Sequence, residues 1–160
     1  MDTSRISFGE MVAAGSGVAL LMFMSAFKWF TVANDPTGLG DRNAWETFTV
    51  IDLVLFLVAL AAVGMAVARG TGVDLRSLPA PPGLLVAGAG VLACALILFR
   101  LLVTPDVQIE YPGVTGGVEA VGGVVHRAAG IFLGLIASAG IAFGGYTARK
   151  ERESGRVRRR

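Results

Sequence analysis

Four stretches of this chain carry no charged residue, and each is close to the length that crosses a lipid bilayer. They cover 17 residues from Met11 to Phe27, 16 from Leu53 to Ala68, 23 from Ser77 to Phe99 and 21 from Ala128 to Ala148. A bilayer core takes about 20 apolar residues per helix. The first two stretches reach that length only if Lys28 and Asp52 lie inside their helices. Within lipid the backbone must satisfy its own hydrogen bonds, which predicts a helix for each stretch. Barrel strands would be about 10 residues long with alternating polarity, and these stretches do not alternate. The sequence therefore predicts an all-α fold, a four-helix antiparallel transmembrane bundle with spans at about 10–30, 46–68, 83–103 and 124–146. With 160 residues the chain makes one unit, a single domain over 1–148 followed by a basic tail over 149–160.

The first stretch could instead be a signal peptide. Its apolar region is long for one, and "FKWF" is a poor lead-in to a cleavage site; "TVA" at 31–33 is a faint match. Cys94 is the one cysteine and lies mid-way along the third stretch, where it reads as a small packing residue.

Charge is distributed unequally across the predicted spans. Arg5, Arg69, Arg76, Arg149, Lys150, Arg152, Arg156, Arg158, Arg159 and Arg160 fall on one side, and Lys28, Arg42, Arg100 and Arg127 on the other. The positive-inside rule then predicts a multi-pass plasma-membrane protein with both termini in the cytoplasm. Asp35, Asp41, Glu46, Asp106, Glu110 and Glu119 make the outer side acidic. The tail "RKERESGRVRRR" reads as a solvated topology anchor. A sharper alternative is attraction to anionic lipid headgroups, at about 1 kcal/mol per basic residue. Nucleic-acid binding would need a folded basic surface with stacking aromatics, and the sequence offers none.

The middle loop, "RGTGVDLRSLPAPPG", reads as a tight turn. The outer loops, about 31–44 and 104–122, are longer. "NDPTGLGDRN" has oxygen ligands but lacks the spacing of a calcium loop, so it reads as a turn cluster. Weak alternation at Val107, Ile109 and Tyr111, and again over Val118 to Val121, suggests a small hairpin. Trp29, Phe30, Trp45 and Tyr111 fit the outer membrane interface, and Tyr146 the inner one.

Inside the spans, helical counting decides which way the charges face. Residues seven apart share a helix face. From Asp52 that leads to Ala59 and Ala66, with Leu55 and Ala62 beside them. This stripe is small, and small residues let helices approach, so it should face protein. Arg100 counts back to Leu96, Ala93, Ala89 and Val86; Arg127 counts forward to Gly130, Gly134 and Ser138. A second ladder, Ala129, Ala137, Gly140 and Gly144, runs beside His126. Lys28 counts back to Met24, Leu21 and Gly17. The expectation is a polar cluster of Asp52, Arg100, His126 and Arg127 in the outer leaflet half. One carboxylate can hold an arginine bidentately there.

Such a cluster can pin helix register without any further role. It can also bind an anionic headgroup, a carboxylate or a quinone oxygen, or form an ion or proton route through Asp52 and His126. An enzyme is not expected. One histidine gives no bis-histidine haem and no His-rich metal site, so no cofactor or metal is called for. "GVTGGVEAVGGV" matches no nucleotide fingerprint. No inverted repeat of a transporter is visible. Gly130/Gly134 and Gly140/Gly144 have GxxxG spacing on different faces. One pair could pack inside the bundle and the other against a second chain, or both could pack inside.

Taken in order, "FKWF", "NAWETFTVIDLVL", "LILFRLL" and "HRAAGIFLGLIASAGIAFGGY" resemble segments of small four-span membrane proteins of unknown function found in high-GC actinobacteria. The resemblance covers most of the spans and not the loops. It implies a plasma-membrane protein and brings no activity with it. The sequence reading is thus a non-enzymatic membrane protein, a structural or accessory subunit of a complex that associates with other membrane subunits or with itself. The alternative is a small binding or conducting protein with an outer-leaflet pocket.

Overall fold

The computed structural model describes residues 6–32, 44, 49–73, 79–103, 108–112, 118–122 and 125–157. The four expected spans are four helices: α1 (Phe8–Ala26), α2 (Thr49–Gly70), α3 (Pro82–Leu102) and α4 (Ala129–Val157). All four are long and apolar enough to cross a membrane, and they pack into an all-α four-helix bundle. The start of α1 meets the last turns of α4 at one end of the bundle, called here the terminal end.

Each helix starts or stops for a local reason. Ser7 and Glu10 form a capping box at the start of α1: the Glu10 backbone N–H donates to Ser7 Oγ, and the Ser7 N–H donates to Glu10 Oε2 at 3.0 Å. Two orphan donors are thereby satisfied. α2 stops in a Schellman turn. Gly72 has a φ of 80°, the Gly72 N–H donates to the Arg69 carbonyl and the Val73 N–H to the Ala68 carbonyl. That left-handed position favours glycine. Pro81 and Pro82 open α3, where a missing N–H costs nothing.

Three helix boundaries differ from the sequence reading. α1 ends at Ala26 rather than near 30, because Phe27 is extended and residues 30–32 form a strand, β1 (Phe30–Val32). α4 begins at Ala129 rather than near 124, because β4 (Val125–Arg127) pairs antiparallel with β1. The Ala128 N–H donates to the Trp29 carbonyl and the Gly130 N–H to the Lys28 carbonyl, so this short ladder is spliced into the start of α4. The expected hairpin is present as β2 (Gln108–Pro112) against β3 (Val118–Gly122), with Ile109 opposite Val121. α4 also continues to Val157, which makes helix of most of the segment read as a tail. "NDPTGLGDRN", Trp45, Arg5, Arg76, Val107, Asp106 and Arg158 to Arg160 lie outside the described residues.

The bundle is built around α4, which packs closely on both α1 and α3. α2 leans on α1, and the α2–α3 seam is the most open of the four. Neighbouring glycines serve different partners. A Cβ on Gly144 would press on the Ala13 backbone N of α1, and one on Gly145 would overlap the Ala87 backbone N of α3. Gly90 is similarly closed by Ala142, and Gly140 by Ser16. Both GxxxG pairs are thus occupied within the chain. Gly130 and Gly134 receive Trp29, and Gly140 and Gly144 receive α1. Between these contacts Leu20, Met24, Leu55, Ile97, Ile131 and Ile141 are fully enclosed.

Trp29 and Phe30, read from the sequence as outer-interface aromatics, are packed into the protein, 1% and 0% exposed. The chain folds back over the end of the bundle, and the Trp29 Nε1–H donates to the Phe23 carbonyl at 2.9 Å. The indole rests on the Gly134 backbone, a seat that exists only because residue 134 has no side chain. Ala129, assigned to a packing ladder, is exposed, and so is Tyr146.

Candidate functional site

The polar residues fall at the two ends of the bundle. At the far end, opposite the terminal end, Asp52 is 1% exposed on the stripe with Leu55, Ala59, Ala62 and Ala66, all buried. Arg100 of α3 lies within electrostatic reach of its carboxylate. Helix geometry lowers the cost of both charges. Asp52 sits in the first turn of α2, at the positive end of the helix dipole, and Arg100 in the last turn of α3, at a negative end.

The other two residues of the expected cluster are placed differently. Arg127 is on β4, and its Nε–H donates to the Leu101 carbonyl at 2.8 Å, closing an orphan acceptor at the end of α3. His126 is exposed on the same strand, paired in register with Thr31. The structure therefore puts Arg100 within electrostatic reach of Asp52, uses Arg127 as a cap for α3 and turns His126 outward. Gly130, Gly134 and Ser138 are buried beneath, with the Ser138 hydroxyl donating to the Gly134 carbonyl at 2.8 Å.

The terminal end holds a cluster that the sequence reading did not identify. Glu10 is 7% exposed. Its Oε1 accepts from the Arg152 guanidinium of α4, and Arg69 Nε of α2 lies 3.6 Å from the same oxygen. Its Oε2 completes the capping box. One carboxylate thus ties three helices together. Beside it, Glu151 Oε2 accepts from the Gly9 N–H at 3.5 Å, and Arg149 pairs with Glu153 at 2.8 Å on the surface. Glu10 lies in the first turn of α1 and Arg69 in the last turn of α2, again each at the end its charge favours. The signal was present in "SFGE" before an apolar run, a capping-box spacing that marks both the helix start and a fixed glutamate.

Glu10 also borders a small cavity between the four helices, lined by Ala13 of α1, Ala62 and Met65 of α2, Gly83 and Val86 of α3 and Ala148 of α4 among others. The cavity leaves about 10 Å³ to the centre of a water molecule, room for a single water. Among the described residues no group of three or more His, Cys, Asp and Glu side chains gathers as metal ligands. Cys94 is a half-buried free thiol on α3.

No family model, no curated protein and no solved structure matches this chain.

Proposed function

We propose that this integral membrane protein is non-catalytic and serves as a structural or accessory subunit of a membrane complex. The observation that carries the reading is how the described interior is used. Apolar side chains and close backbone contacts fill it, and its buried charges hold helices to one another. With both GxxxG pairs spent inside the chain, association with other subunits or with a second copy would use the apolar outer faces instead. These include Leu57 and Leu60 of α2 and Ile136 and Phe143 of α4. The asymmetry of Lys and Arg puts both termini in the cytoplasm. The exposed Arg149 and Lys150 of the α4 extension then lie where anionic headgroups reach them.

A second reading is a small ligand-binding or ion-conducting protein working at the outer leaflet through Asp52 and Arg100, with His126 and Arg127 at the rim. It is favoured by one observation, the enclosure of a carboxylate beside a guanidinium where the bundle seam is open.

Purification in mild detergent separates the two. Stoichiometric partner chains support the subunit reading. A lone homo-oligomer that passes ions in proteoliposomes, with the current abolished by Asp52→Asn, overturns it. Membrane-impermeant labelling of Ser154→Cys in a Cys94→Ser background tests the orientation; labelling from outside intact cells would reverse it.

A further inference from the structure

We infer that α2 is a rocking helix, balanced on α1 and clamped by charge at both ends, whose movement links the two faces of the membrane. Four observations converge on it. First, the seam between α2 and α3 is the most open in the bundle, whereas α1, α4 and α3 are locked by backbone contacts at Gly144, Gly145 and Gly90. Second, α2 meets α1 closely at its middle. A Cβ on Gly17 would stand 3.0 Å from the Ala59 carbonyl oxygen and 3.2 Å from Val63 Cγ2. Ala59 is half-way along Thr49–Gly70, so this contact is placed as a fulcrum.

Third, each end of α2 carries a charge that faces a neighbouring helix, beside the buried apolar side chains of Leu55 and Ala66. Asp52 faces Arg100 of α3 at the far end, and Arg69 faces Glu10 of α1 at the terminal end. Fourth, a small cavity borders this seam at the terminal end, where Met65 and Ala66 of α2 and Pro82 and Gly83 of α3 line it together with Ala13 of α1 and Gly145 and Ala148 of α4. Ion pairs are long-ranged and directionally tolerant compared with interlocked side chains, so they can hold a helix through small shifts. Helix shifts of about 1–2 Å are a common element of switching. A stiff helix pivoting at its middle moves its two ends in opposite senses.

That opposition is the test. Two spin-label pairs across the α2–α3 seam are read in lipid nanodiscs, each in a Cys94→Ser background. Val67→Cys with Gly88→Cys reports nearer the terminal end, and Leu53→Cys with Phe99→Cys reports the far end. Gly15→Cys with Ala139→Cys, on α1 and α4, shows whether the fold is intact. Arg69→Gln releases the terminal clamp and leaves the capping box in place. The expected result is that the two seam distances change in opposite directions while the α1–α4 distance stays fixed. Asp52→Asn, releasing the other clamp, is expected to shift both in the reverse sense. Distances that do not change, that change at one end only, or that change together in one direction overturn the proposal. If Arg69→Gln disturbs the α1–α4 distance, Asp52→Asn alone decides by the same criterion.

Discussion

Glu10 and Arg152 are 142 positions apart and share a hydrogen bond at the terminal end of the bundle. The carboxylate is nearly enclosed, while the arginine side chain keeps 34% of its surface in solvent. The two are therefore not equivalent in mutation. Removing the buried partner also breaks the capping box and leaves Arg69 without its carboxylate. Removing the outer partner leaves a glutamate that still has Arg69 and the Ser7 N–H. Glu10→Ala is expected to cost about 3 kcal/mol. Arg152→Gln is expected to cost about 1 kcal/mol or less. Denaturant unfolding in detergent, read by tryptophan fluorescence, measures both; equal losses would contradict the arrangement.

Glycines divide sharply by what surrounds them. At Gly145 and Gly90 a Cβ overlaps backbone of the facing helix, so alanine there must push two helices apart, at about 1–3 kcal/mol or more. At Gly64 and Gly88 nothing lies within 4 Å of that Cβ. Alanine at these two sites is expected to stabilise the helix by about 0.5–1 kcal/mol through backbone entropy. Thermal melts of the four single variants should separate into two groups of opposite sign.

Trp29 is expected to behave as a core residue. Trp29→Phe removes the hydrogen bond to the Phe23 carbonyl and part of the ring, at about 1–2 kcal/mol. Trp29→Ala empties the seat over Gly134, at about 3–5 kcal/mol. An interfacial tryptophan would lose far less in either case. The same unfolding experiment, followed by helix content since one of the two tryptophans is removed, reads the difference.

Asp52 and Arg100 invite a charge swap. Asp52→Arg alone places two guanidinium groups together and is expected to prevent folding. Adding Arg100→Asp restores the attraction, but each charge then sits at the wrong end of its helix dipole. Rescue should be partial, short of the parent by about 1–2 kcal/mol. Expression as a monodisperse protein in detergent checks it, and absence of any rescue would remove the pairing.

Much of this architecture is legible in the linear pattern, because bilayer thickness and helix pitch are fixed lengths. Charge-free runs gave four spans. Seven-residue counting from Asp52 found Leu55, Ala59, Ala62 and Ala66, all buried in the bundle. Counting from Arg127 found Gly130, Gly134 and Ser138, also buried, although Arg127 itself stands on a strand rather than on the helix. Weak alternation located β2 and β3.

Which partner each face meets was decided in three dimensions. A small-residue ladder says that something comes close, and it does not say whether the visitor is α1, α3, an indole or a second chain. Hydropathy cannot distinguish a tryptophan at the membrane surface from one folded back over Gly134, since both look like an aromatic at the end of a span. Nor can it join Glu10 to Arg152, because a pairing across the whole length of the chain leaves no local period. The sequence by itself determined how many helices there are, where most of their packing faces lie and which helix ends favour which charge, all consequences of spacing. Only the tertiary structure chose the neighbours, and through them left the α2–α3 seam more open than the rest, because interlocking depends on backbones that meet from distant parts of the chain.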